Sequence, residues 1–253
     1  METGRQRRVS KSAAIYIPIG ALVIILLTIL GISSFLSITD IEVIGATRYT
    51  ADDIISVSGI GTGDNLLFLD TEFAERRIIT AMPFVSTVSI SRIPPNSVLI
   101  EVSESVPIAA VSARGDILVI DSSGRILEQV NRMPEGIIEI RGITPVDAAP
   151  GMLLRTAPEG EMQLQYMRDV LVALEREGIT DDVSYLDVTH IAQINFGYMG
   201  RFRVILGDPS NLRQKLELLP TSIEQINEDA GENAIGDINL TDPGLGVRWT
   251  RVQ

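Results

Sequence analysis

The chain has 253 residues, of which 45% are hydrophobic and 21% charged, a composition typical of globular proteins and long enough for about two domains besides a membrane segment. Its net charge of −12 argues against nucleic acid as a partner, because phosphate binding needs a basic face. The absence of cysteine excludes a cysteine nucleophile, stabilising disulfides and the usual structural zinc site.

An uncharged stretch of 24 residues, Ala13–Leu36, follows the first twelve residues. As a helix it would span roughly 36 Å, which is enough to cross a bilayer with some tilt. A cleavable signal peptide is the alternative, but its apolar region is usually shorter and ends at a small-residue cleavage site, for which Ser33–Ser37 is a poor match. The sequence therefore predicts an uncleaved transmembrane helix over residues 13–36.

The charge distribution predicts the orientation of this helix. Residues 1–12 carry four basic residues and one acidic residue, whereas the rest of the chain carries 17 basic and 32 acidic residues. Basic residues remain on the cytoplasmic side of a membrane span. Residues 1–12 are thus predicted to be a cytoplasmic tail, and everything from Ile38 onward to lie outside the cytoplasm.

Residues 38–106 have the pattern of a small α+β domain. The order is strand, helix, helix, strand, strand, which favours a small sheet with both helices on one face. The first helix begins with a capping-box pattern, in which a threonine and the acid three residues later cap each other's backbone N–H groups. The predicted features are a strand at Ile38–Ile44, the capping box at Thr50 and Asp53, a second N-cap at Asp70, and a hairpin of Phe84–Ile93 and Ser97–Ser105.

Residues 107–253 are predicted to form a second, mainly β domain with packed helices. An apolar face at helical spacing follows Thr156 and ends at Gly178. A further helix carrying Leu212 is predicted to break at Pro220, with a short helical turn starting in a capping box at Thr221 and Glu224. The predicted strands are 108–112, 117–120, 126–129, 137–140, 183–188, 191–196, 202–206 and 235–240.

The residue types that could support catalysis are better explained without it. The single histidine, His190, lies in a strand-rich stretch with no nucleophile pattern around it. The acid pairs at Asp52-Asp53, Asp181-Asp182 and Glu228-Asp229 could serve a glycosidase, but each fits a helix cap or a solvated loop. Gly59–Gly63 lacks the lysine and hydroxyl residue of a phosphate-binding loop. No enzyme activity, metal site or cofactor is predicted.

These features together resemble one family, the bacterial cell-division protein FtsQ, called DivIB in Gram-positive bacteria. Ile41–Asp53, Gly59–Leu69 and Pro83–Val102 resemble the POTRA domain of that family. Ala109–Leu127 resembles the start of its second domain, and Asp237–Trp249 resembles its closing strand. With the N-terminal anchor, the resemblance covers nearly the whole chain.

The resemblance implies a non-enzymatic, single-pass scaffold of the divisome at the division septum. It implies two small coiled-coil membrane partners, FtsL and FtsB (DivIC in Gram-positive bacteria), and a role in septal peptidoglycan synthesis. It also points to Asp237, Ile238, Asn239, Leu240 and Trp249 as a partner-binding edge, where a partner strand would add to the sheet. Asn239 and Leu240 depart from the basic and aromatic residues of some relatives.

The sequence leaves three alternative interpretations open. Trp249 fits either a core anchor or an exposed aromatic residue at a binding surface. A POTRA-bearing accessory could bind unfolded polypeptides by strand addition, although such proteins usually carry several POTRA repeats or a membrane barrel. An anchored enzyme or wall-binding protein would need an aromatic groove, and only 5% of this chain is aromatic.

Overall fold

The computed structural model describes residues 19–26, 35–242, 244 and 247–251. Residues 19–26 are helical. Within these ranges, no helix has both the length and the apolar character that a membrane span requires. Most of the predicted transmembrane segment 13–36, and all of the predicted tail 1–12, lie outside the described residues.

The chain divides into two compact units. The first contains the chain up to Ile78 together with Thr87–Ser103, and the second contains Ile79–Ser86 and everything from Glu104 onward. The elements of the POTRA-like region are β1 (Asp40–Ile44), α1 (Ala51–Ser58), α2 (Thr71–Ala81), β2 (Val85–Ile93) and β3 (Ser97–Glu104). Their order is the predicted strand, helix, helix, strand, strand.

The first sheet has the strand order β1-β3-β2, with β1 parallel to β3. Alternate residues of β3, Val98 and Ile100, are buried together with Ile54 of α1 and Ile78 of α2. The predicted capping box is confirmed: Thr50 Oγ1 accepts from Asp53 N at 3.2 Å, and Asp53 Oδ2 accepts from Thr50 N at 3.2 Å. Asp70 caps α2 by accepting from Phe73 N.

The second unit is built on a nine-stranded mixed sheet with the order β12-β11-β10-β9-β8-β7-β4-β5-β6. Three neighbouring pairs, β4 with β7, β7 with β8 and β10 with β11, are parallel. The strands are β4 (Ala109–Ala113), β5 (Asp116–Ile120), β6 (Ile126–Val130), β7 (Ile138–Arg141), β8 (Val183–Asp187), β9 (Ile194–Tyr198), β10 (Phe202–Gly207), β11 (Gly236–Asn239) and β12 (Arg248–Arg251).

Three helices accompany this sheet: α3 (Glu161–Glu177), α4 (Leu212–Glu217) and α5 (Leu219–Ala230). The predicted apolar face of α3 is buried in one large cluster with the strands, and it includes Met167, Val170, Leu171 and Leu174. Gly178 ends α3 in the left-handed conformation with φ +68°, as the sequence predicted. The α+β architecture predicted from the sequence is therefore present in both units.

Two local predictions were wrong. Residues 191–193 belong to a turn, closed by the bond from Gln193 N to His190 O, so β9 starts at Ile194 and not at Ile191. The helix break comes at Leu218, one residue before α5, and Pro220 lies within the first turn of α5. Proline is tolerated there because the first-turn N–H groups have no intrahelical acceptor. The predicted capping box at Thr221 and Glu224 is consequently absent.

The prediction that residues 237–240 form the edge of the sheet was also wrong. The chain turns after Asn239 and returns as β12, which pairs antiparallel with β11 in the register Asp237↔Thr250 and Ile238↔Trp249. Strand β11 therefore lies one position inside the sheet, between β10 and β12. The C-terminal edge strand is β12, which contains Trp249.

Candidate partner-binding edge

The two ends of the nine-stranded sheet differ in how well they are covered. The start of β6 is bonded to a following segment, since Ile126 N donates to Met152 O and Gly151 N donates to Ile126 O. Strand β12 pairs with β11 on one side, and no described strand pairs with its outer side. An edge of this kind presents backbone N–H and C=O groups to which another strand can pair.

Among the site residues predicted from the sequence, those of β11 and Leu240 lie inside the sheet, next to the edge strand β12. Ile238 and Leu240 are completely or almost completely buried in the core. Asp237 forms an ion pair with Arg203 of β10, and its carboxylate raises the pKa of the Arg203 guanidinium. Asn239 Oδ1 accepts from Thr241 N at 2.9 Å and shapes the turn after the strand.

Trp249 is the predicted site residue that lies in the edge strand itself. It stands opposite Ile238, so both side chains are on the same face of the sheet, and the indole packs partly buried against the core. A Cβ atom on Gly236 would lie 2.7 Å from Trp249 Nε1, so the missing side chain of Gly236 makes room for the ring. Nε1 has no hydrogen-bond partner among the described residues, and packing alone holds the indole.

A groove of about 420 Å³ lies between α5 and β12. Its floor is apolar, with Leu218 and Ile226 on the helix side and Val247 and Trp249 on the strand side. Its helix-side rim is polar. The rim residues are Thr221, Ser222, Gln225 and Asp229. An apolar floor inside a polar rim is the arrangement found where protein partners insert large side chains.

The edge strand also concentrates positive charge in an acidic chain. Arg248 and Arg251 are exposed at the two ends of β12, whereas the whole chain has a net charge of −12. Sequence reasoning missed Arg248, Thr250, Arg251 and Val247 as site residues. The available signal was the short β-prone run Val247–Arg251, which follows the turn predicted at residues 241–244.

The residues considered for catalysis do not come together. Asp53 caps α1, where hydrogen bonds from Thr50 lower the pKa of its carboxyl group. His190 is exposed in the turn before β9, the Asp181-Asp182 pair forms a short 3-10 turn, and Glu228-Asp229 lies on α5. No cluster of three or more potential metal ligands occurs in the parts of the chain that the structure describes.

Comparisons with known proteins match both units. Residues 36–105 match the family described as POTRA domain, FtsQ-type. A cell division protein FtsQ from Corynebacterium glutamicum is 33% identical over 124 residues, 47% of this chain and 55% of that protein. A cell division protein FtsQ from Streptomyces griseus is 26% identical over 117 residues, 46% of this chain and 56% of that protein.

A cell division protein DivIB from Clostridium botulinum is similar along most of the chain. It is 24% identical over 228 residues, which is 89% of this chain and 84% of that protein. The chain spans about half the length of the Corynebacterium and Streptomyces relatives that it matches. The similarity to the Clostridium protein therefore extends well beyond the POTRA region.

Proposed function

We propose, from the similarity of the chain to FtsQ and DivIB cell division proteins, that it is a member of this family and a non-enzymatic, membrane-anchored scaffold of the divisome that binds partner proteins at strand β12. The single observation that carries the proposal is the open outer side of β12 beside the apolar groove. Backbone pairing supplies affinity at such an edge, and side-chain pockets supply specificity.

The chemistry of the edge constrains the partner. A strand that adds to β12 meets Arg248 and Arg251, so acidic side chains on the partner would be matched by charge. The residues next to that strand would place one or more apolar side chains against Trp249 and Ile226 in the groove. The partners proposed are FtsL-like and FtsB/DivIC-like single-pass coiled-coil proteins, held for septal peptidoglycan synthesis.

The localisation proposed is the cell membrane at the division septum. The uncharged segment 13–36 would serve as the single membrane span, with residues 1–12 in the cytoplasm and both units outside it. This arrangement puts β12 on the same side of the membrane as the outer parts of single-pass partners that share the orientation.

Strand addition is better supported at β12 than at β2 of the first sheet. Strand β2 is an edge of the first sheet, but Ile90 N already donates to the Glu75 carboxylate of α2 at 2.8 Å. A side chain that occupies a backbone donor lowers the gain from adding a strand there. This observation favours the scaffold over a POTRA accessory that binds unfolded polypeptides at β2.

The experiment is co-purification from native membranes with an N-terminally tagged full chain, because a C-terminal tag would lie next to β12. A second bait ends at Asp242 and lacks residues 243–253, which include β12 and Val247 of the groove. A bait ending before β11 is unsuitable, since it would remove the buried Ile238 and Leu240. We expect the full chain, and not the shortened one, to recover two small coiled-coil membrane proteins.

Trp249→Ala is the point-substitution version of this experiment. Loss of a central aromatic anchor is expected to weaken partner affinity about tenfold or more. The shortened bait and the Trp249→Ala bait must both keep the circular dichroism spectrum and unfolding profile of the full chain. Equal recovery of the same partners by folded baits with and without β12 would contradict the proposal.

A further inference from the structure

Exposed apolar side chains lie at one end of the first unit, where the chain leaves the predicted membrane span. The partner binding proposed at β12 does not involve them. Phe35, at the end of the uncharged segment 13–36, is 68% exposed. Leu67 and Phe68 are 60% and 85% exposed, and Ile93 is 43% exposed. Pro94 and Pro95 are exposed as well. Apart from Phe35, these side chains come from two loops, 65–69 and 93–96, the second of which starts at the last residue of β2.

The first loop is held directly against the chain as it leaves the span. Leu66 N donates to Leu36 O at 2.9 Å, Ile38 N donates to Asp64 O at 2.8 Å, and Ser37 bridges to Asn65. Phe68 follows Leu66 by two residues, so its Cα lies within about 7 Å of the Cα of Leu66. Leu36 is the last residue of the predicted span 13–36, and the loop is therefore fixed at the level where that span ends.

The second loop lies at the same end of the unit. Thr39 N donates to Asn96 O at 2.9 Å, and the Asn96 side chain donates to Thr39 Oγ1. Arg92 donates to Leu69 O and so joins the second loop to the first. Both loops are thus bonded, directly or through each other, to the first residues after the span.

The exposure of Leu67 and Phe68 is imposed by the backbone. Phe68 N donates to Asn65 O at 3.1 Å, and Leu67 N donates to Asn65 Oδ1 at 3.0 Å, which fixes the turn. The side chain just before them, Leu66, is buried at 2% exposure and anchors the loop to the core. The loop consequently presents two large apolar side chains outward on a rigid base.

We infer that loops 65–69 and 93–96 dock the first unit onto the lipid surface, with Leu67, Phe68 and Ile93 inserted at the boundary between headgroups and acyl chains. Apolar and aromatic side chains enter this boundary to a depth of about 5–10 Å. The headgroup layer on each side of a bilayer is roughly 5–8 Å thick, a depth within reach of side chains that are held at the end of the span. Exposed Arg92 stands beside the loops, where its guanidinium meets lipid phosphate.

The position of the loops favours the lipid surface over a protein as their binding partner. The inference rests on the membrane anchor of the proposed function, because a span that ends at Leu36 holds the loops permanently at the bilayer surface. A protein partner or a second copy of the chain would have to compete with lipid already present at that level. The docked loops would restrict the orientation of the first unit relative to the membrane.

The absence of cysteine from the chain gives a direct test. Full-length variants Phe68→Cys and Ile93→Cys are labelled with an environment-sensitive fluorophore and reconstituted into phosphatidylcholine and phosphatidylglycerol vesicles. Ile44→Cys is the matched control, since Ile44 is 42% exposed at the opposite end of β1, roughly 13 Å from Asp40. Quenching by nitroxide lipids is compared with quenching by aqueous iodide at a low protein-to-lipid ratio.

We expect nitroxide lipids to quench the labels at 68 and 93 at least about twofold more strongly than the label at 44. Replacing Leu67 and Phe68 by serine should reduce the quenching of the label at 93, because the two loops dock together. Labels at 68 and 93 that behave like the label at 44, or protection that rises with protein concentration, would overturn the inference and leave partner binding at β12 untouched. Failure of the full chain to insert into vesicles would overturn both this inference and the proposed anchor.

Discussion

Lys215 of α4 is fully buried, and its role is to join the end of β10 to the helix pair beside the groove. Its Nζ donates to Leu206 O at 2.8 Å, to Asp208 O at 2.9 Å and to Asp208 Oδ1 at 3.3 Å. All three ammonium donors are therefore used. The Asp208 side chain is 63% exposed, so water screens the ion pair and the two backbone carbonyls provide most of the stabilisation.

Lys215→Met is expected to destabilise the second unit more than Asp208→Asn does. Methionine has a similar volume but leaves the buried Leu206 O and the partly buried Asp208 O without this donor, which costs about 1–3 kcal/mol. Asp208→Asn removes only a screened charge and should cost less than about 1 kcal/mol. Urea unfolding of both variants measures the difference, and equal losses would show that the ion pair dominates.

The pKa of Asp208 predicts the pH dependence of this contact. Hydrogen bonds from the Ser210 hydroxyl, the Ser210 N–H and the Lys215 ammonium lower the pKa of this carboxyl group. A pKa that is lower in the folded state stabilises the fold above about pH 4, and the contribution is lost as the pH falls through the folded-state pKa. Asp208→Asn should therefore change stability near neutral pH and have little effect below the folded-state pKa.

Strand β12 is the element on which the proposed partner binding depends, and its charges can be tested separately from its backbone. The double substitution Arg248→Glu and Arg251→Glu reverses the exposed charge of the edge and leaves the core intact. Because an acidic partner strand would then be repelled, affinity should fall about tenfold, with the larger effect at low salt. Binding titrations of purified partners at two salt concentrations measure the change.

Arg132→Glu is the matched control for the single substitution Arg248→Glu, which changes the net charge by the same amount. Arg132 is exposed shortly after β6, at the other end of the sheet, and the same change of charge there should leave binding unchanged. Equal effects at the two ends would mean that net charge, and not the edge strand, governs association. Ile238→Asp is not a usable test of the edge, since it would put a charge into the core at a fully buried position.

Local elements were predictable from the sequence, but the order of strands at the C-terminal edge was not. The capping box at Thr50 and the stop at Gly178 depend on a few adjacent residues, and both are present as predicted. The break at Leu218 was missed because proline was taken to end a helix, whereas it is also accommodated in a first turn. The position of β11 depends on long-range pairing with β10 and β12, which residue patterns within one strand do not encode.

The same limit applies to the candidate site. Trp249 was identifiable because it is the only tryptophan and follows a turn near the C-terminus. The groove beside it requires α5, which is separated from β12 in sequence and approaches it only in the folded unit. Sequence patterns therefore predicted Trp249 as a candidate site residue but not the groove that it lines.

At the scale of the whole molecule, the proposed orientation makes a prediction about chemical accessibility. The chain contains no cysteine, so each introduced thiol reports on a single position. A membrane-impermeant maleimide should label Arg132→Cys in intact cells and should not label Ser10→Cys until the cells are lysed. Labelling of both positions, or of Ser10→Cys alone, would contradict the proposed orientation.

The two arginines of β12 have a consequence for how copies of this chain behave toward one another. If two molecules met edge to edge at β12, in either strand direction, the small strip of contact would contain four guanidinium groups and no compensating acid from β12 itself. Like charges brought so close oppose homotypic pairing. The edge is thus poorly suited to polymerising with itself, and it stays available to a chemically different strand even where many copies crowd at one site.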